Sequence, residues 1–339
     1  MIEMTSVCPF AGHGFLFCVC EENLNMIFLI YAIIAAGVTF LSVKAADYVD
    51  LIDKKTSLSG AFIGGIMLSA VTSLPELFTS LSSTLLLDEP GLCIGNILGS
   101  NLFNLSALAV LIVVFSRAFA GADIAHSHQK VLWLLLVAYG ALALNMMGVL
   151  SVELFTVSIT SVVLIACYAA SVKYLSGESS DEDDEEDTNP LTLKQVLVRF
   201  AFVAVGIVVL SVLISQVTDL LAEELDLGKS MAGALFMGVA TSLPELSSTI
   251  TLFRKKSFDI AVGNIVGSNI FNLIILSVSD ILYTGTGLYD FSDPKTVALL
   301  VFGFLAHPLI LCALKLRHRW LQVGLSVGCV ASYVGFLTI

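Results

Sequence analysis

The hexapeptide TSLPEL occurs twice, at residues 72–77 and 241–246. It places Glu76 and Glu245 one residue after Pro75 and Pro244, within long apolar stretches. A carboxylate at membrane depth is costly and by default faces a bundle interior or a water-filled path. Proline has no N–H to donate, so the Val71 and Ala240 carbonyls lose their helical partners. Leu74 and Leu243 precede proline and are expected to leave helical dihedrals. The loosened turn would also release the Thr72 and Thr241 carbonyls. Irregular backbone at that depth is tolerated only where it faces protein or a wet cavity. Carbonyls, the hydroxyls of Thr72 and Ser73, and a carboxylate together make an oxygen-rich pocket. A hard cation such as Ca2+ takes about 6–8 oxygen ligands of these kinds.

A second duplicated motif follows each glutamate, GNILGSNLFNL at 95–105 and GNIVGSNIFNL at 263–273. Asn96, Ser100 and Asn104 are spaced four apart, within about 80° of one helical face. Asn264, Ser268 and Asn272 repeat the pattern. Gly95 and Gly99, like Gly263 and Gly267, form a G-x-x-x-G that lets another helix approach closely. Each half of the chain thus offers one carboxylate helix and one hydroxyl/amide helix. Asn101 and Asn269 turn away from the serine face and read as interhelical glue. His307, next to Pro308, reads as a local structural histidine. Asp47 and Asp50 read as a solvated helix end.

The elements that must position these residues follow from composition. The 339-residue chain is 57% hydrophobic and only 13% charged, against about 45–50% and about 25% for soluble domains. It reads as a polytopic, all-α membrane protein with the lipid bilayer as its solvent and no nucleic-acid partner. Eight acids in ESSDEDDEED (178–187) reduce the net charge of −12 to −4 when set aside. That run reads as a disordered, solvated loop. None of the seven cysteines forms a C-x-x-C, which argues against a zinc or redox site.

Ten segments meet the spanning length of roughly 20 residues: about 27–46, 59–87, 91–116, 131–149, 152–174, 194–221, 230–253, 259–283, 296–314 and 320–338. With the N-terminus outside, only Lys229 and Lys295 of the 16 Lys and Arg residues lie in outward loops. The positive-inside rule therefore orients the chain N-out and C-out. Residues 1–25 form an N-terminal segment of uncertain status, 26–174 a first five-helix repeat, 175–193 an acidic cytoplasmic loop, and 194–339 a second repeat. The paired motifs are offset by 169 and 168 residues, a duplication. Five helices per repeat is an odd number, so the halves are inverted. Inverted repeats mark secondary transporters that bind substrate near the midplane.

At these motifs the chain resembles the sodium/calcium exchanger family of the cation/calcium exchanger superfamily, whose two alpha-repeats read like TSLPEL…GNILGSNLFNL and TSLPEL…GNIVGSNIFNL. The resemblance implies antiport of Ca2+ against Na+ with no cofactor, usually three Na+ for one Ca2+. It implies a Ca2+ site shared by Glu76 and Glu245 with the Thr72 and Thr241 main-chain oxygens. It implies flanking Na+ sites at Ser73, Ser100, Ser242 and Ser268, with the same glutamates and backbone oxygens near Ser69 and Gly238. Asn104 and Asn272 would line the middle. Helices one and six would slide against the rest to alternate access, and the plasma membrane would be the location. Some family members, including potassium-dependent ones, carry Asp at the position of Asn272. Here both repeats end in Phe-Asn, leaving two carboxylates as the only formal charges.

Three other readings stand beside this one. The same glutamates could exchange Ca2+ for H+, although the serine-rich flanks supply neutral oxygens that suit Na+. A membrane enzyme would need a nucleophile–base pair or a metal dyad; no H-E-x-x-H occurs, and the motif region contains no histidine. A passive channel has no need of two exchanging half-sites.

Overall fold

Long apolar runs interrupted by short polar loops become long helices, because only a helix satisfies its own backbone in lipid. The computed structural model describes residues 24–86, 88–150, 152–154, 157–177, 189–224, 238–285 and 287–339. Nearly all of the N-terminal segment 1–25, and the acidic run 178–187, lie outside the described residues.

In chain order the elements are α1 (Leu24–Lys55), α2 (Gly60–Thr72), α3 (Leu74–Leu85), α4 (Pro90–Val114), α5 (His126–Met146), the two-residue strands β1 (Glu153–Leu154) and β2 (Val157–Ser158), α6 (Ile159–Ser176), α7 (Leu193–Glu224), α8 (Leu243–Lys255), α9 (Phe258–Leu282), α10 (Pro294–Lys315) and α11 (Arg319–Leu337). Eight of these helices are long and apolar enough to cross a membrane. The pair α2 and α3, bent by 43° at Ser73, makes a ninth span if counted as one. The expected segment at 230–253 is described only from Gly238 onward.

Burial separates centre from periphery. In α4 and α9, 67% and 72% of the most apolar window is buried; in α1 and α7 the shares are 17% and 22%. The second motif of each repeat therefore runs through the middle of the molecule. The outer pair α1 and α7 turns Leu29, Ile33, Phe40, Phe202 and Val205 outward, as lipid-facing side chains should. These two helices lock to each other reciprocally. A Cβ on Gly37 would meet Leu210 Cδ1 at 2.8 Å, and one on Gly206 would meet Leu41 Cδ1 at 2.7 Å. Gly37 and Gly206, and likewise Leu41 and Leu210, are 169 residues apart. The duplication thus reaches beyond the two motifs, and the pair is two-fold related.

The structure corrects the reading of α1. The helix continues nine residues past the expected end, because Ala45, Ala46, Val49 and Ile52 carry a buried stripe onward. Asp50 is buried, not solvated. Its carboxylate accepts from Ser257 Oγ at 2.5 Å and pairs with Lys255 at 3.3 Å, and Asp47 pairs with Lys255 at 2.8 Å. The C-terminal end of α1 is therefore tied to the α8–α9 corner.

Two acids fix the ends of α9. Near its start, Asp259 Oδ1 accepts from the Ala125 backbone N–H at 2.8 Å and lies 2.9 Å from His128 Nε2, at the beginning of α5. Near its end, Asp280 Oδ2 accepts from Ser158 N at 2.9 Å and Ser161 Oγ at 2.6 Å. Ser158 caps α6 by accepting from Thr160 N. The expected helix from 152 consequently begins only at Ile159. Each carboxylate sits at a helix N-terminus, where the partial positive charge of free N–H groups favours an anion.

Candidate ion-binding site

The two TSLPEL segments cross at the centre of the molecule, and the break in each comes one residue earlier than proline sterics alone suggested. Leu74 and Leu243 begin helices α3 and α8, while Ser73 (φ −91°, ψ 4°) and Ser242 (φ −86°, ψ 8°) form the bends. This placement puts Pro75 and Pro244 in the first turn of a new helix. The missing N–H is harmless there, because first-turn donors have no intrahelical partner anyway.

The bends aim each serine across the two-fold axis. Ser73 Oγ donates to Glu245 Oε1 at 2.9 Å, and Ser242 Oγ donates to Glu76 Oε1 at 3.0 Å. Both glutamates, both serines, Thr72 and Thr241 are fully buried. Ser268 Oγ reaches Glu245 Oε1 at 3.5 Å, and Thr72 Oγ1 lies 3.3 Å from Asn264 Oδ1 and 3.4 Å from Ser268 Oγ. Asn264 is anchored in turn, its amide donating to Ser248 Oγ at 3.1 Å and Thr249 Oγ1 at 2.9 Å. Asn96 donates likewise to Ser80 at 3.1 Å. The structure brings Glu245, Ser73, Ser268 and Thr72 into one hydrogen-bonded group, and Glu76 and Ser242 into a second pair. The Ser69 and Gly238 carbonyls each accept two donors already: Ser73 N at 3.0 Å and Thr72 Oγ1 at 3.3 Å on one side, Ser242 N at 3.1 Å and Thr241 Oγ1 at 3.2 Å on the other. A carbonyl has two lone pairs, so these oxygens are engaged in this conformation.

What remains without a partner is informative. Glu76 Oε2, Glu245 Oε2, Asn96 Oδ1, Ser100 Oγ, Asn104 Oδ1 and Asn272 Oδ1 are buried and accept no hydrogen bond. Buried polar atoms are nearly always satisfied, and an ionised carboxylate in a low-dielectric interior needs a counter-charge. These six lie within the paired motifs and are all oxygens, from two acids, three amides and one hydroxyl; outside the motifs, His128 Nδ1, His307 Nε2 and Tyr139 Oη are among the other buried atoms without a partner. The motif set suits hard cations and lacks the nitrogen and sulfur that softer metals prefer. Among the described residues, no group of three His, Cys, Asp or Glu side chains could hold a metal. Neutral oxygens must therefore complete any coordination shell here.

The family comparison agrees with this geometry. The sodium/calcium exchanger protein family matches residues 24–177 and 195–339, nearly the whole chain. The chain belongs to the sodium/calcium exchanger family. Its members are transporters, not enzymes. The exchanger is 28% identical over 281 residues to the inner membrane protein YrbG of Escherichia coli, covering 78% of this chain and 81% of the relative. It is 25% identical over 300 residues to the sodium/calcium exchanger MaX1 of Methanosarcina acetivorans, covering 76% and 84%. A solved structure of the sodium-calcium exchanger NCX_Mj superposes with a TM-score of 0.71 at 21% identity, covering 94% of this chain and 99% of that one. That likeness establishes an all-α membrane exchanger fold.

Sequence reasoning missed three features of the exchanger. The serine-to-glutamate bonds cross between repeats, and no local pattern reports a partner about 170 residues away. The His128–Asp259 and Asp50–Lys255 pairs are equally non-local. His307 behaves as expected: its Nδ1 is 2.7 Å from the Gly303 carbonyl one turn back, and its ring lies 4.6 Å from that of Tyr139.

Proposed function

We propose that the chain is a secondary antiporter that exchanges Ca2+ for Na+ by alternating access, three Na+ for one Ca2+. The observation that carries this reading is the mirrored pair Ser73–Glu245 and Ser242–Glu76, in each of which the carboxylate Oε2 has no hydrogen-bond partner. Glu76 and Glu245, with the Thr72 and Thr241 main-chain oxygens, hold Ca2+. Ser73, Ser100, Ser242 and Ser268 hold Na+ beside the same glutamates, with the Ser69 and Gly238 carbonyls available once their present donors turn away. Asn104 and Asn272 line the middle. Ca2+ and Na+ use overlapping ligands, so occupancy by one displaces the other, which is the condition for exchange. The loosely covered α1–α7 pair is suited to slide past the buried α4–α9 centre.

Two carboxylates and one Ca2+ sum to zero, whereas two carboxylates and three Na+ sum to +1. Exchange therefore moves one positive charge in the direction of Na+, worth about 2.3 kcal/mol at 100 mV. Purified protein in proteoliposomes is expected to accumulate 45Ca2+ when an outward Na+ gradient is imposed, and not when a pH gradient replaces it. An inside-negative potential clamped with valinomycin should speed Na+ entry coupled to Ca2+ exit. Uptake indifferent to the clamp would establish two-for-one exchange, and uptake driven by pH alone would establish H+ coupling.

The ten-helix, N-out and C-out orientation, in the plasma membrane, belongs to the same proposal. A cysteine at Ser180, in the acidic loop, should label from the cytoplasmic side. A cysteine at Thr284, an exposed residue after α9, should label from outside. Labelling of position 180 from outside intact cells would reverse the orientation.

A further inference from the structure

We propose that Asn101 and Asn269 are positioning residues that set the amide orientation of Asn272 and Asn104, and so turn oxygen, not nitrogen, toward the transported cation. This rests on the exchange reading above.

An asparagine amide has an acceptor end and a donor end of nearly equal size. Shape alone does not choose between them, and a cation is repelled by the donor end. The choice here is made by a four-residue clasp between α4 and α9. Asn101 Nδ2 donates to the Asn269 main-chain carbonyl at 3.2 Å, and Asn269 Nδ2 donates to the Asn101 carbonyl at 3.0 Å. A main-chain carbonyl can only accept, so both amides are held with Oδ1 pointing away from it. Those oxygens then accept from the neighbours. Asn272 Nδ2 donates to Asn101 Oδ1 at 3.0 Å, and Asn104 Nδ2 donates to Asn269 Oδ1 at 3.1 Å. With their N–H groups held in this way, Asn104 and Asn272 leave Oδ1 buried and without a protein partner. All four side chains are at most 1% exposed, so no water is free to substitute for a lost bond.

Simple glue between helices would account for two of the four bonds, the amide-to-carbonyl pair. It does not account for the other two, which run from each amide of the proposed site to the partner clasp residue. The clasp also explains why an aspartate at 272 is a larger change than one added charge. Aspartate has no N–H for Asn101 Oδ1, so two acceptors would face each other unless the Asn101 amide turned over and left the Asn269 carbonyl.

The test is Ca2+ binding to purified full-length protein by isothermal titration, for wild type, Asn101→Leu, Asn272→Ala and the double variant. Asn101→Leu keeps the branched shape and removes both bonds. It is expected to raise the Ca2+ dissociation constant about tenfold, the scale of one misdirected ligand. Asn272→Ala should do much the same. The double variant should match Asn272→Ala within about twofold, because Asn101 acts through the Asn272 oxygen; effects on one path do not add. Multiplying single effects, or an unchanged dissociation constant in Asn101→Leu, would overturn the clasp. Should Asn101→Leu fail to fold, Asn101→Ser and the mirror variant Asn269→Ser, each paired with its amide partner, carry the same comparison. A wild-type protein that binds no Ca2+ would instead reject the exchange reading itself, so the two failures are distinct.

Discussion

Glu76→Gln and Glu245→Gln are each expected to abolish Na+-driven 45Ca2+ uptake while the protein still inserts, elutes as a single species and melts near the wild-type temperature. The substitution keeps side-chain volume. It also keeps an acceptor at Oε1, where Ser242 donates to Glu76 at 3.0 Å and Ser73 donates to Glu245 at 2.9 Å. What changes is the other atom. Oε2, which accepts nothing from the protein, becomes an NH2 whose positive edge points to where the proposed cation sits. Leaving one member of a buried charge pair uncompensated costs about 2–5 kcal/mol, roughly 30-fold to several thousandfold in affinity. The cost falls on Ca2+ more than on Na+, because a divalent ion draws on both charges at once. A variant at either position that exchanges Ca2+ near the wild-type rate would remove that glutamate from the central ligands.

How such a site arises was partly visible in the residues themselves. TSLPEL and GN-x-x-GSN-x-FN repeat at almost one offset, which marks the chain as a duplication. From that the two buried glutamates, the serines beside them and the motif asparagines could be put forward as candidates. Their pairings could not. A duplication states that Ser73 and Ser242 are equivalent, but not that each bonds the other repeat's glutamate. That fact depends on a two-fold axis passing between the bends, which is a property of packing. The bend position was misread for a related reason. The rule for residues preceding proline disfavours a helix at Leu74, yet a fresh helix beginning there places the proline where it is best tolerated. The polar end of α1 was misread because Asp47 and Asp50 look solvated until Lys255, two hundred residues away, is brought beside them. Gly37 and Gly206 carried a signal that was overlooked, since they share the motif offset of 169.

Gly267→Ala is expected to destroy transport through contact between backbones. The methyl carbon would lie 2.2 Å from the Gly65 carbonyl oxygen and 2.6 Å from Gly65 Cα. Neither atom can rotate away, so α9 must move off α2 by more than an ångström. Nor can α2 yield there easily. Gly64 and Gly65 lie in its π-helical turn, Ile63–Leu68, and a Cβ on Gly64 would itself meet the Ile260 carbonyl at 2.2 Å. Overpacking of this kind costs about 1–3 kcal/mol or more. The functional loss should exceed the loss of stability, because the moving surface carries proposed ligands. Ser268 and Asn264 now reach Thr72 at 3.4 and 3.3 Å, and an added ångström breaks both contacts. Gly328→Ala in α11 is the matched control. Its methyl would meet nothing nearer than Leu309 at 3.5 Å, an ordinary contact, and alanine favours a helix by about 1 kcal/mol over glycine. Uptake of 45Ca2+ and melting temperature, measured on both variants, separate the cases: Gly267→Ala should lose uptake and melt lower, and Gly328→Ala should retain both. Wild-type uptake by Gly267→Ala would show that the close approach of α2 and α9 is dispensable for placing Ser268 and Asn264 at the site.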